Sequence, residues 1–305
     1  MTALFFRRAL LGGVMVAGVT AGAAAQKRTK LQGFPTADAA AGALTEAVRR
    51  ADDKALAAML GDGWRDFVPT DDRDFGIERS RYLEAWQEAH KVTVDGDRAT
   101  VEIGRTGWTL PIPLVKDGAA WRFDGAAGTD EIAARQIGRN ELGAIQTLLA
   151  IGDAQRDYAE LDPMKTGSPV YARRLTSLPG RKDGLYWPSA AGEPQSPLGE
   201  LVASSQADGS APGEQYGYNF RLLYGQGPAA PGGAHDYIVN GRMIGGFAAI
   251  AWPVAYGKTG IKTFVMGYRG DVHEQDLGPQ TAERAASITR FDPDKGWEKA
   301  DTAPP

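Results

Sequence analysis

The chain has 305 residues, 43% of them hydrophobic and 24% charged, and a formal net charge of −4. That length corresponds to about two domains, and the mixture excludes a disordered, collagenous or multi-span membrane chain. The lack of cysteine removes disulfides, thiol nucleophiles and cysteine metal sites, and with no basic excess nucleic acid is not an expected partner.

Residues 1–25 read as a cleavable secretory signal. Arg7 and Arg8 precede an apolar stretch from Ala9 to Val19, and Ala23-Ala24-Ala25 is a small-residue cleavage site. The expected location is therefore periplasmic or secreted, with Sec and twin-Arg export both open. No later apolar run approaches the roughly eighteen residues of a membrane span, so none is expected after cleavage. A polar linker fills 26–33.

Residues 34–125 read as one α+β domain. Ala40, Leu44, Ala47 and Val48 recur at helical spacing, as do Leu56, Met59 and Leu60 behind Asp52 or Asp53, and Tyr82, Leu83 and Trp86 mark a third helix. The period then changes to two: Val92-Val94, Ala99-Val101-Ile103, Trp108-Leu110-Ile112-Leu114 and Ala120–Phe123 predict a four-stranded antiparallel meander. Helices followed by a meander resemble the small cystatin-like, NTF2-like cones. Such a cone implies a pocket for a small ligand, with Trp64, Trp86, Trp108 and Trp121 either lining it or filling the core.

Gly125-Ala126-Ala127-Gly128 reads as a flexible boundary, and Thr129 as the N-cap of a long amphipathic helix reaching about Leu161, with Gly138 and Gly143 as potential breaks. Asn140–Ile145 followed by Ala154–Tyr158 resembles the exposed half of the long helix in type IV pilins and pseudopilins. The segments Gly217–Phe220, Phe247–Pro253, Thr259–Phe264 and Gly270–Val272 are similar to the strands of their head domains. The resemblance implies a helix laid on an antiparallel sheet over 128–298, with 299–305 a disordered tail. It carries over fold alone, because the apolar half-helix that polymerises pilins is replaced here by a signal and a whole domain.

Over about Lys30 to Trp297 the chain resembles a family of secreted bacterial proteins known as domain of unknown function 2950. The matching segments include IGRNELGAIQ (137–146), GRKDGLYWP (180–188), QGPAAPGG (226–233), DYIVNGRMIGGFA (236–248) and AWPVAYGKTGI (251–261). The resemblance implies no activity.

The chemical inventory is thin. His90, His235 and His273 stand in no metal-binding spacing, and the loop after the long helix offers only Asp162 beside Lys165, too few oxygens for calcium. Glu141, Glu193, Asp236 and Asp276 fall in the distinctive segments without forming a recognisable acid/base pair. Ser196-Pro197 reads as a helix cap rather than a nucleophile. No catalytic residue, cofactor or metal is assigned. Tyr186, Trp187, Tyr237, Asn240, Arg242, Trp252 and Tyr256 form a candidate interaction surface, since Tyr, Trp and Arg dominate binding hot spots, with ordinary packing as the alternative. The sequence thus reads as an exported, non-enzymatic envelope protein with an envelope protein partner and an open oligomeric state. The alternative is a small-ligand or glycan binder, or an enzyme, using the N-terminal cone.

Overall fold

The structure is a computed structural model that describes residues 31–67, 75–190, 192–199 and 216–302; the segment expected as a signal and most of the expected linker lie outside them. The fold is α+β, with two separate hydrophobic cores.

In the N-terminal unit, α1 (Ala37–Arg50) opens where Thr36 Oγ1 accepts from the Ala39 N–H, and it buries Ala40, Ala41, Leu44, Ala47 and Val48 on one face. Helix α2 (Asp53–Leu60) is capped by Asp52 rather than Asp53 and ends at Gly61. A short 3-10 turn carries the buried Trp64, and α3 (Phe75–Glu88) follows. Strands β1 (His90–Asp95), β2 (Arg98–Ile103), β3 (Leu114–Asp117) and β4 (Ala120–Phe123) form the antiparallel meander in that order, with α1 and α3 packed against it.

The third strand is shorter than its alternation predicts. Two backbone bonds join Trp108 and Leu110 to β2. Pro111 and Pro113 then supply no N–H, so regular pairing resumes only at Leu114.

Helix α4 (Gly125–Leu161) is one unbroken helix of 37 residues, about 55 Å at 1.5 Å per residue. The expected hinge is instead its first turn. Asp124, not Thr129, caps it by accepting from the Ala127 N–H. Gly128 sits where a Cβ would lie 3.1 Å from Ile112, so glycine lets the helix press against the N-terminal core. Gly143 does not break it either: a Cβ there would stand 2.7 Å from the Tyr216 ring.

From Asn140 onward, α4 packs on the C-terminal unit. There β5 (Tyr218–Leu223) is followed by the short β6 (Gly225–Gln226), β7 (His235–Asp236), β8 (Ile238–Val239) and β9 (Arg242–Met243). Then come β10 (Ala248–Pro253), β11 (Lys262–Gly267), β12 (Val272–Asp276) and β13 (Glu298–Lys299). The main sheet is antiparallel, ordered β13-β12-β11-β10-β5. All six residues of β10 are buried, and since alternate side chains face opposite ways, both faces of the sheet are covered there. Helix α4 packs on β10 and β11, and α5 (Thr281–Ser287) packs on β10. Lys299 pairs with His273 and Ala300 is buried, so ordered structure runs into the stretch expected as tail. Among the described residues no helix is long and apolar enough to cross a membrane.

Gly138 alone among the questioned glycines has open space around its missing Cβ. In a continuous helix Gly138→Ala should therefore stabilise the protein by about 0.5–1 kcal/mol. An upward shift of the urea midpoint at constant slope would show it; a loss would mean that the helix bends there.

Candidate functional site

The chain leaves α4 through Asp162, in the left-handed region at φ 42°. Its carboxylate accepts from the Thr166 and Gly167 N–H groups, each at 2.8 Å, and from the Thr166 hydroxyl. Those bonds, with a smaller contribution from Arg242, hold its carboxyl below the ordinary range. The following segment runs without regular strands and is clamped by Gln155, whose amide gives to the Ala172 carbonyl at 2.9 Å and takes from its N–H at 2.8 Å. Tyr171 then bridges to Met243 at the foot of the β8–β9 hairpin.

Between this segment, the end of α4 and the hairpin lies a cleft of about 480 Å³. Arg173, Arg174, Arg181 and Arg242 line it, with Tyr158, Tyr171, Tyr224, Met164, Leu178 and Asp183. Among the described residues none of the four guanidiniums is paired with a carboxylate, nor are those of Arg98, Arg139, Arg221, Arg269 and Arg284, whereas Arg49, Arg50, Arg65, Arg81, Arg105, Arg122, Arg135, Arg156 and Arg290 all are; what distinguishes the four is that they line one cleft. Arg242 donates to Ser168 Oγ at 2.8 Å, and Arg173 reaches the Gly241 carbonyl at 3.4 Å.

The cleft's own carboxylate, Asp183, accepts from the Leu178 N–H. Tyr158 donates to the Lys182 carbonyl at 2.6 Å, and burial, reinforced by Asp183 and Asp162, pushes its phenol up to about 12. Against the one lining carboxylate, Asp183, the four arginines leave the wall with an excess of positive charge, an arrangement suited to an anion. Planar guanidiniums recognise carboxylate and phosphate oxygens through paired hydrogen bonds.

The seven residues expected as one interaction surface are scattered. Arg242 lines the cleft. Trp187, Tyr237 and Trp252 are buried core residues: Trp187 packs edge-on against Tyr158, the Tyr237 hydroxyl donates to Gln226, and Trp252 lies beneath Arg221. Tyr186 is half-buried against the same core. Asn240 and Gly241, at φ 50° and 74°, turn the β8–β9 hairpin. An Asn-Gly pair between apolar residues is a signature of that turn, which gives Asn240 a backbone role. Tyr256 bonds Asp276 beside β11. Arg173 and Arg174 lie in no singled-out motif, and Arg181 lies in GRKDGLYWP (180–188), a segment that carries family likeness but no chemistry; the other signal is a basic run, with Lys182, inside an acidic chain.

The four carboxylates of the distinctive segments are separately engaged. Glu141 accepts from the Ile261 and Lys262 N–H groups, Glu193 faces Lys182, Asp236 pairs with Arg290, and Asp276 accepts from Gly278. His90 stacks on Trp86, and His235 contacts backbone carbonyls. Ser196 caps no helix; its hydroxyl donates to the Leu198 carbonyl in a bend.

In the N-terminal unit, Trp64 and Trp121 are core and Trp86 is half-buried. Only Trp108 faces a concavity, an apolar groove of about 210 Å³ that it shares with Leu44, Val48, Tyr82, Leu110 and Ile112.

The family model described as Protein of unknown function (DUF2950) matches residues 31–300. No curated protein and no solved structure matches the chain.

Clustered like charges without partners destabilise a fold through self-repulsion. Arg173→Gln with Arg181→Gln should thus raise stability by about 0.5–1 kcal/mol at low salt, near the upper range of surface substitutions. Thermal unfolding in 10 mM and 500 mM NaCl would test it, the gain shrinking as salt screens the cluster.

Proposed function

The chain belongs to the DUF2950 family, whose description assigns no activity, and we propose that it is an exported, non-enzymatic envelope protein that works by binding. Its C-terminal unit captures an anionic group of a partner in the arginine cleft. One observation carries this reading: four arginines, none in a salt bridge among the described residues, line one concavity of a chain whose net charge is −4.

The leader-like segment at 1–25 supports export, and an envelope component presenting carboxylate or phosphate is the partner that the chemistry fits. The engaged state of Glu141, Glu193, Asp236 and Asp276 supports a binding role over catalysis. A hydrogen bond to a charged group contributes about 1.5–3 kcal/mol, so two or three guanidiniums closing on one anion suffice for useful affinity.

The direct test is thermal unfolding and calorimetric titration of the purified protein with pyrophosphate and citrate. Pyrophosphate at about 100 times its Kd should stabilise the fold by about 2.7 kcal/mol. Arg173→Ala with Arg181→Ala should lose most of that shift. Equal shifts in the variant and the parent would place the anion elsewhere and defeat the reading.

A second reading attaches to the N-terminal groove, favoured by the exposed Trp108 among apolar walls. It predicts capture of a small apolar molecule. Titration with a hydrophobic dye should blue-shift tryptophan emission in the parent chain and much less in Trp108→Leu. An identical response in both would dismiss it.

A further inference from the structure

We infer that the anion seated in the arginine cleft is the phosphate of a membrane lipid headgroup, and that the rim of the cleft enters the bilayer interface. This rests on the reading of the cleft as an anion site and adds the source of the anion.

The added observation is the apolar rim. Met164, Leu178 and Tyr224 line the cleft yet are 48%, 38% and 43% exposed, and Val239, cross-strand from Arg242 in the β8–β9 hairpin, is 43% exposed. A site for a free, fully hydrated anion has no need of large apolar side chains held out in water around its arginines. A phospholipid surface offers both matching layers, phosphates at one depth and acyl chains just below.

Arginine suits that boundary, because its stem lies along apolar surface while the guanidinium stays at headgroup level. Tyr224 adds an exposed aromatic ring at that boundary, its hydroxyl donating to the Arg173 carbonyl at 3.0 Å. The rim comes from segments with fixed backbone. The Asp162 bonds close the loop that carries Met164, and the Asn240-Gly241 turn holds Val239 and Arg242 on neighbouring strands. Charge points the same way: the basic cluster would face an anionic leaflet while the acidic remainder of the chain is repelled from it.

The test uses the purified protein with vesicles of phosphatidylcholine alone and of phosphatidylcholine with 30% phosphatidylglycerol, read by co-sedimentation. Binding should be at least tenfold stronger to the phosphatidylglycerol vesicles. Arg173→Ala with Arg181→Ala should lose at least tenfold of it. Val239→Ser, on the rim but outside the cleft lining, should lose severalfold of vesicle binding while leaving the thermal shift with pyrophosphate unchanged, which also shows that this variant is folded. A pyrophosphate shift without vesicle binding would overturn the lipid inference and leave the anion site standing. Absence of both would overturn the two together. Vesicle binding that survives the arginine substitutions, or cleft-dependent capture of an acidic peptide without any vesicle binding, would also overturn it.

Discussion

An irregular stretch of chain has no ladder to satisfy its N–H and C=O groups, and in the C-terminal unit the side chains of α4 take the place of one. Asn140 donates to the Thr259 carbonyl, and Glu141 accepts from Ile261 and Lys262. About four turns further along, Gln155 pairs with both backbone groups of Ala172, and Tyr158 closes on Lys182. These bonds fix the turn before β11 and the whole segment that carries three of the four cleft arginines. Gln155 is fully buried, so without its amide the N–H and C=O of Ala172 would be left unpaired at about 1–3 kcal/mol each. The cleft therefore depends on a helix whose polar face is spent on backbone, not on chemistry.

That division explains why charge is treated in two ways in the same unit. Arg221 is partly buried and gives its guanidinium hydrogens to the carbonyls of Ala285 and Ile288 at the end of α5. Arg290 crosses to Asp236 and to the His235 carbonyl. Such arginines are structural: most of their donors are committed within the fold, although the buried Nε of Arg221 has no partner there. Arg173, Arg174 and Arg181 are exposed, and Arg242 is only half-buried, so their donors remain largely available at the cleft wall. A group that is positioned by its neighbours but not neutralised by them is one that a ligand can complete.

Much of the fold was legible because it is periodic. The alanine-rich face of α1, the alternation of β2 and the broad apolar stripe of α4 each repeat at the spacing of their element. The misreadings have physical causes. Trp108 to Leu114 alternates like a strand, but two prolines remove the donors. Gly125, Gly128 and Gly143 look like breaks because the sequence does not reveal that neighbours press against two of them. The aromatic cluster was misplaced because Trp187, Tyr237 and Trp252 have the composition of a hot spot and the burial of a core. The cleft was nearly invisible: Arg242 reaches it across a hairpin, 61 positions beyond Arg181, and the basic segment has no period. Even so, the segments that carry the family likeness proved informative about structure, since Asn140 and Glu141 bond backbone groups around Thr259 to Lys262 and Asn240-Gly241 turns a hairpin.

The continuity of α4 also changes how the two units relate. A Gly/Ala linker would let them tumble independently, with their separation set by chain statistics. Instead Arg135 donates twice to Thr109, at 2.7 and 2.9 Å, and lies over Trp108, tying the groove wall to the helix. The clamps at Asn140 and Glu141 begin little more than one turn later. The helix is thus held on both sides of Gly138, where a Cβ would meet open space. From Arg135 at the groove to Tyr158 at the cleft is about 35 Å along the rod. Two concavities fixed at that spacing engage a common surface or partner only when its own features match the interval, and then with the advantage that a preset geometry has over a flexible tether.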